Sequence, residues 1–158
     1  MQPKHIVKLF LAILICQAAG FVGSIFTTAS IPTWYAALQK PWFNPPNWLF
    51  FPVWTTLYLL MGIALYLILK KGTNTENVPE ALFLFFVQLI LNTLWSIIFF
   101  GFKAPSAAFL EIIALWIFIL LTIVRFYSLE KKAAYLLVPY LLWVSFATVL
   151  NLNIAILN

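Results

Sequence analysis

The chain has 158 residues, 65% of them hydrophobic and 8% charged, with a mean hydropathy of +1.03. A soluble domain is about 45–50% apolar and about 25% charged, and one this small has no interior able to hide such an excess, so a water-soluble globular enzyme is excluded. Nine Lys and Arg outweigh four acidic residues; in so apolar a chain that surplus reads as topology-setting loop charge, and no nucleic-acid partner is expected.

A helix of about 20 apolar residues crosses a bilayer, and the apolar content is enough for about five such helices. The expected fold is therefore all-α: a polytopic five-helix membrane bundle forming one domain over residues 1–158. The first span covers residues 6–27. Lys4 and Lys8 stand at its start, before the apolar stretch, as in a signal peptide, but the run is long and lacks a small-residue cleavage site, so it reads as a retained helix. Residues 28–47 follow, with Pro32, Pro41, Pro45 and Pro46 among Trp34, Tyr35, Trp42 and Phe43. Proline resists helix interiors and holds the residue before it extended, so this segment reads as a long aromatic loop with a short helical turn near Trp34 to Gln39.

The second span is placed at 48–69, with Pro52 in its first turn, and ends at Lys70 and Lys71. The third covers 80–102, the fourth 106–127 and the fifth 133–157, with Pro139 inside the fifth. Lys4, Lys8, Lys70, Lys71, Arg125, Lys131 and Lys132 fall on one side of the membrane, and Lys40 and Lys103 on the other. The positive-inside rule then puts the N-terminus in the cytoplasm and the aromatic loop outside.

Polar and aromatic residues inside spans carry the functional signal, because hydrocarbon penalises an unpartnered polar group. Gln88, Asn92, Trp95 and Phe99 recur at helical spacing on one face of span three. Trp54, Tyr58 and Met61 do so in span two, and Trp143, Ala147 and Leu150, beside Asn151, in span five. Facing inward, these stripes would line a flat-walled apolar slot with a few hydrogen-bonding points, suited to a planar ligand. The bland reading is that aromatics anchor or pack and amides join helices. Trp48 suits an interfacial belt, and Trp42 and Trp116 suit a belt or the lipid face. Gly20, Gly23 and Ser24 read as close helix packing, Gln17 as interhelical glue, and Glu111 as partly exposed or paired with Lys103.

Conventional catalytic sets are missing. There is no Asp, one His (His5) near the terminus, and one Cys (Cys16). These exclude a Ser-His-Asp triad, a disulfide framework and a Cys-rich metal site, and no metal is expected.

Several blocks resemble the translocator protein family, the tryptophan-rich sensory proteins (TspO/MBR). They are Phe21-Val22-Gly23-Ser24, Trp34-Tyr35-Ala36-Ala37-Leu38-Gln39-Lys40-Pro41, Pro45-Pro46-Asn47-Trp48, Pro52-Val53-Trp54, Thr56-Leu57-Tyr58 and Met61-Gly62. Further on come Gln88-Leu89, Leu91-Asn92, Trp95, Ile98-Phe99-Phe100-Gly101, Pro139-Tyr140-Leu141, Trp143, Phe146-Ala147-Thr148 and Leu150-Asn151. The resemblance implies a five-helix bundle whose first loop is a lid over a pocket. It implies binding of tetrapyrroles such as protoporphyrin IX or haem, with no cofactor required, and of isoquinoline-carboxamide or benzodiazepine drugs. Some bacterial relatives promote light-dependent oxidation of porphyrin, and bacterial members are usually homodimers. Carried over by position, the ligand site is Tyr35, Pro45, Trp54, Tyr58, Asn92, Trp95, Trp143, Ala147 and Leu150, with Trp54 and Trp143 as the photo-oxidation pair. Transport or sensing of tetrapyrroles and similar amphipathic compounds is the alternative. The Tyr and Arg of the mitochondrial cholesterol motif are missing after Ala147-Thr148, which argues against cholesterol and for a bacterial plasma membrane.

Overall fold

In the computed structural model, which describes residues 3–158, apolar run length governs where helices form. α1 (Pro3–Ser30) continues without a break through a wider π turn (Ile31–Tyr35). α2 (Asn47–Leu69) and α3 (Val78–Ser96) follow, and α3 closes in a second π turn (Ile97–Gly101). α4 (Pro105–Leu129) and α5 (Lys131–Leu157) complete the bundle, and the described residues contain no strand. All five helices are long and apolar enough to cross a membrane.

Packing places the helices around a closed ring in the order α1, α2, α5, α4, α3. The basic end gathers the start of α1 with the α2–α3 and α4–α5 connections. There Lys71 pairs with Glu130 at 2.9 Å and Arg125 with Glu80 at 2.7 Å. The Lys71 hydrogen bond holds the Glu130 carboxyl below the usual range. The pair therefore persists at neutral pH and is lost only as the pH falls through that lowered value. At the opposite end Ser30 Oγ donates to the Phe100 carbonyl at 2.8 Å, joining the two π turns. The Asn158 side chain meets both the N–H and the carbonyl of Gln39 at 3.0 Å.

Several boundaries differ from the sequence expectations. The loop expected over 28–47 shrinks to the stretch after Ala37, because the helix carries on through Pro32. Proline stands at the start of the π turn, whose wider i→i+5 winding takes up the bond to the preceding turn that its missing N–H cannot make. Pro52 lies inside α2 and not in its first turn, since that helix begins at Asn47. The Thr56 hydroxyl donates to the Pro52 carbonyl at 2.8 Å. Lys131 and Lys132 belong to α5, leaving Glu130 alone as the connection. Trp116 is half-buried, and its indole N–H donates to Ser145 Oγ at 2.8 Å, so it joins α4 to α5 and is not a belt residue. Trp42 and Trp48 are exposed.

Helices in lipid gain little from hydrophobic burial against each other, so close approach of backbones matters more than in water. The backbones of α1 and α2 come close at Gly62, where an added Cβ would sit 2.6 Å from the Ile13 Cα. That neighbour is backbone and has no rotamer to yield. Gly62→Ala should therefore force the two helices apart and destabilise the bundle by about 1–3 kcal/mol. The check is a fall in the melting temperature of the detergent-solubilised protein relative to the parent.

Candidate functional site

The lid half of the bundle encloses a cavity of about 340 Å³, at the lower end of the ~300–1,000 Å³ usual for small-molecule sites. α1, α2, α3 and α5 supply its walls, together with the π turns; α4 supplies none of them. Trp54 and Tyr58 line it from α2, Trp95 and Phe99 from α3 and its π turn, and Trp143, Ala147 and Leu150 from α5. Tyr35 closes it from the end of α1. The walls are mostly apolar, as expected for a site that holds a hydrophobic guest and orients it with few polar contacts.

Aromatic contacts fix these walls. Trp54 stacks on Tyr58 with ring centroids 5.7 Å apart and meets the edge of Tyr140 at 6.3 Å. Trp95 stacks on Phe99 at 5.2 Å, and its indole N–H donates to Asn151 Oδ1 at 3.0 Å. Asn151 in turn donates from Nδ2 to the Pro105 carbonyl at 2.7 Å, which ties α5 to the start of α4. Trp143 packs against Phe50 and Phe146 at 6.2 and 5.5 Å. Deeper in the bundle, Tyr58 donates from its hydroxyl to Asn92 Oδ1, and Asn92 Nδ2 donates to the Tyr140 hydroxyl at 2.8 Å. The cavity therefore rests on a buried polar bridge across α2, α3 and α5.

The lid is held by its own polar groups. Tyr35 donates from its hydroxyl to Asn44 Oδ1 at 2.8 Å, and Asn44 Nδ2 reaches the Pro45 carbonyl at 3.0 Å. The Lys40 ammonium lies 4.8 Å above the Tyr35 ring and donates to the Leu38 carbonyl at 3.1 Å. Phe43 packs on Phe146 at 6.3 Å, pinning the lid to α5.

A model of the TspO/MBR family matches residues 12–157. The chain belongs to the TspO/MBR family. It is 51% identical over 154 residues to the tryptophan-rich protein TspO of Archaeoglobus fulgidus, covering 98% of this chain and 99% of that relative. Against the tryptophan-rich sensory protein of Cereibacter sphaeroides it is 38% identical over 151 residues, covering 95% and 91%. Against the translocator protein of Homo sapiens it is 42% identical over 132 residues, covering 83% and 78%. Family membership and five apolar helices make it an integral membrane protein.

Seven of the residues expected to form the TspO/MBR ligand site lie on the cavity surface: Tyr35, Trp54, Tyr58, Trp95, Trp143, Ala147 and Leu150. Asn92 and Pro45 do not. Asn92 shares the helical face of Trp95 but is buried below the cavity, its amide engaged by two tyrosines. Pro45 instead offers its carbonyl to Asn44, the residue that accepts the Tyr35 hydroxyl. The expected pairing of Glu111 with Lys103 is not formed. Lys103 takes a left-handed backbone (φ 55°), and both Glu111 carboxyl oxygens are buried with no hydrogen-bond partner among the described residues.

The α1 wall was missed by sequence reasoning. Gln17, Phe21, Thr27 and Thr28 line the cavity with Gly20 and Ser24. Gln17 does join helices, donating to the Thr55 carbonyl at 3.0 Å. A Cβ on Gly20 would fall 2.3 Å from the Tyr58 ring, so that glycine lets the tyrosine ring press against α1. The available signal was the run of small and hydroxylated residues on α1, which also fits plain helix packing.

Asn92→Leu keeps the side-chain volume but leaves the Tyr58 and Tyr140 hydroxyls without their shared partner. Burial of the orphaned groups should destabilise the protein by about 1–3 kcal/mol. Denaturation of the solubilised protein checks the loss. A shift in the tryptophan emission of the same variant should accompany it, because Trp54 rests on both tyrosines.

Proposed function

We propose that this TspO/MBR protein binds a tetrapyrrole, protoporphyrin IX or haem, in the lid-end cavity and promotes light-dependent oxidation of the bound porphyrin. The observation that carries the reading is the convergence of the Trp54 and Trp143 indoles, from α2 and α5, on one apolar cavity. Flat aromatic walls suit a planar macrocycle. In this reading the macrocycle absorbs the light and dioxygen is the oxidant. The protein contributes position, partial exclusion of water and two oxidisable indoles able to give up an electron each. Lys40 is already placed over Tyr35 and on lid carbonyls, so propionates would have to draw it away from those contacts. The same cavity is offered to isoquinoline-carboxamide or benzodiazepine-type compounds.

A second reading, transport or sensing of amphipathic compounds, draws on a different feature. Phe21 and Thr28 of α1 and Phe51 and Thr55 of α2 line the cavity and are also exposed on the outside of the bundle. A cavity walled by lipid-facing residues is open to exchange with the bilayer. Residence in a bacterial plasma membrane, with the basic end cytoplasmic and the lid outside, completes the proposal together with assembly as a homodimer.

Titration with protoporphyrin IX in the dark should quench tryptophan fluorescence saturably, and illumination should then bleach the porphyrin absorbance. Replacing Trp54 and Trp143 together by Phe should keep the dissociation constant within a few-fold and slow bleaching by about tenfold or more, the latter corresponding to ~1.4 kcal/mol on a barrier. Equal bleaching in parent and variant would remove the role of the indoles. Porphyrin flux across protein-loaded vesicles in darkness would favour transport.

A further inference from the structure

The basic end of the bundle carries a second cavity, remote from the lid and not used by the proposed function. It is a notch of about 500 Å³ lined by Lys8 of α1, Leu69 at the end of α2, and Gly72, Thr73, Asn74 and Thr75 of the α2–α3 connection. We propose that this notch is a binding site for a phosphate-bearing anion, the headgroup of an anionic phospholipid.

Three features of the notch point to such a ligand. Its one charged side chain is basic, and no carboxylate lines it. Of the acidic groups at this end, Glu130 pairs with Lys71 and Glu80 with Arg125; Glu76 follows Thr75 in the connection but does not line the notch, and Lys8 forms no ion pair among the described residues. Lys8 therefore lines the notch without a direct ion-pair partner. An ammonium of this kind holds phosphate as a point charge.

The loop supplies the donors. Gly72 adopts a left-handed backbone (φ 96°), which turns the chain sharply after Lys71. Thr75 closes the turn, with its N–H on the Gly72 carbonyl at 3.1 Å and its hydroxyl on the Lys71 carbonyl at 2.8 Å. Thr73 and Asn74 are left at the tip, with neither backbone N–H bonded to a backbone carbonyl. Successive free amides in a tight turn form a concave anion seat.

The third feature selects a lipid over a soluble phosphate. Leu11 and Ile15 follow Lys8 on α1 at helical spacing, and they are 48% and 44% exposed. They lie about 5 and 10 Å along the helix from the Lys8 level, running from the notch toward the middle of the span. A headgroup seated on Lys8 and the loop tip would thus lay its acyl chain along this apolar strip.

The test uses the whole protein in nonionic detergent, with native mass spectrometry reading the fraction that retains added phosphatidylglycerol or phosphatidylcholine. Phosphatidylglycerol should be retained preferentially, and Lys8→Gln should weaken its retention about fivefold. Lys132→Gln removes a charge at the same end but outside the notch, and should leave retention unchanged. Circular dichroism of each variant checks that the helices persist. An equal loss in both variants, no loss in Lys8→Gln, or equal retention of the two lipids would each overturn the site. Inorganic phosphate forms the second arm: Lys8-dependent phosphate binding without lipid retention would keep the anion seat and overturn its lipid occupant.

Discussion

The buried bridge Tyr58–Asn92–Tyr140 is the interaction on which the rest of this bundle depends. Lipid tails are as apolar as leucine, so helices crossing a membrane cannot rely on the hydrophobic effect to choose their neighbours. A shared amide between two phenols is directional and has no substitute in hydrocarbon. It sets α2, α3 and α5 in one relative register, and on that base the aromatic residues one to two turns nearer the lid are held apart as walls. Below the bridge the core is filled by Met61, Leu65, Phe85 and Phe126, all fully buried. Above it the same helices enclose empty volume.

The two π turns answer a related geometric problem at the lid end. Each inserts an extra residue into a helix, which rotates the following side chains by about 100°. In α3 this lets Phe99 and Phe100 both be buried; in α1 it brings Tyr35 inward onto the same pair of rings. The Ser30 hydroxyl on the Phe100 carbonyl locks one turn to the other. The lid thus emerges already docked on the top of the cavity, and its Asn44 and Lys40 contacts finish the closure.

Much of this was readable from the residues, for identifiable reasons. Uninterrupted apolar length determines spans almost alone, because a backbone in hydrocarbon has to satisfy its own hydrogen bonds. The stripes Trp54–Tyr58 and Trp143–Ala147–Leu150 follow from helical spacing and do reach the cavity. What failed is what spacing does not encode. Periodicity reports a face but not a depth, so Asn92 looked equivalent to Trp95 although it lies beneath the floor. Proline statistics describe average helices, and a π turn starting at Pro32 escapes them. The small residues of α1 carry little side-chain signature, and their share of the wall depends on what stands opposite. Glu111 has the partial exposure expected of it, but its carboxyl oxygens are covered and unpaired with Lys103, which only three-dimensional packing decides.

Gly20 has a consequence for how such a chamber changes over evolutionary time. Its missing methyl is the space into which the Tyr58 ring leans, and Tyr58 is anchored by its hydroxyl at the other end. The phenol can neither retreat nor pivot freely, so one carbon gained on α1 is transmitted as lost room for the guest. A lineage can therefore resize its compartment by editing the helix that looks most like inert scaffolding, while every tryptophan stays where it is.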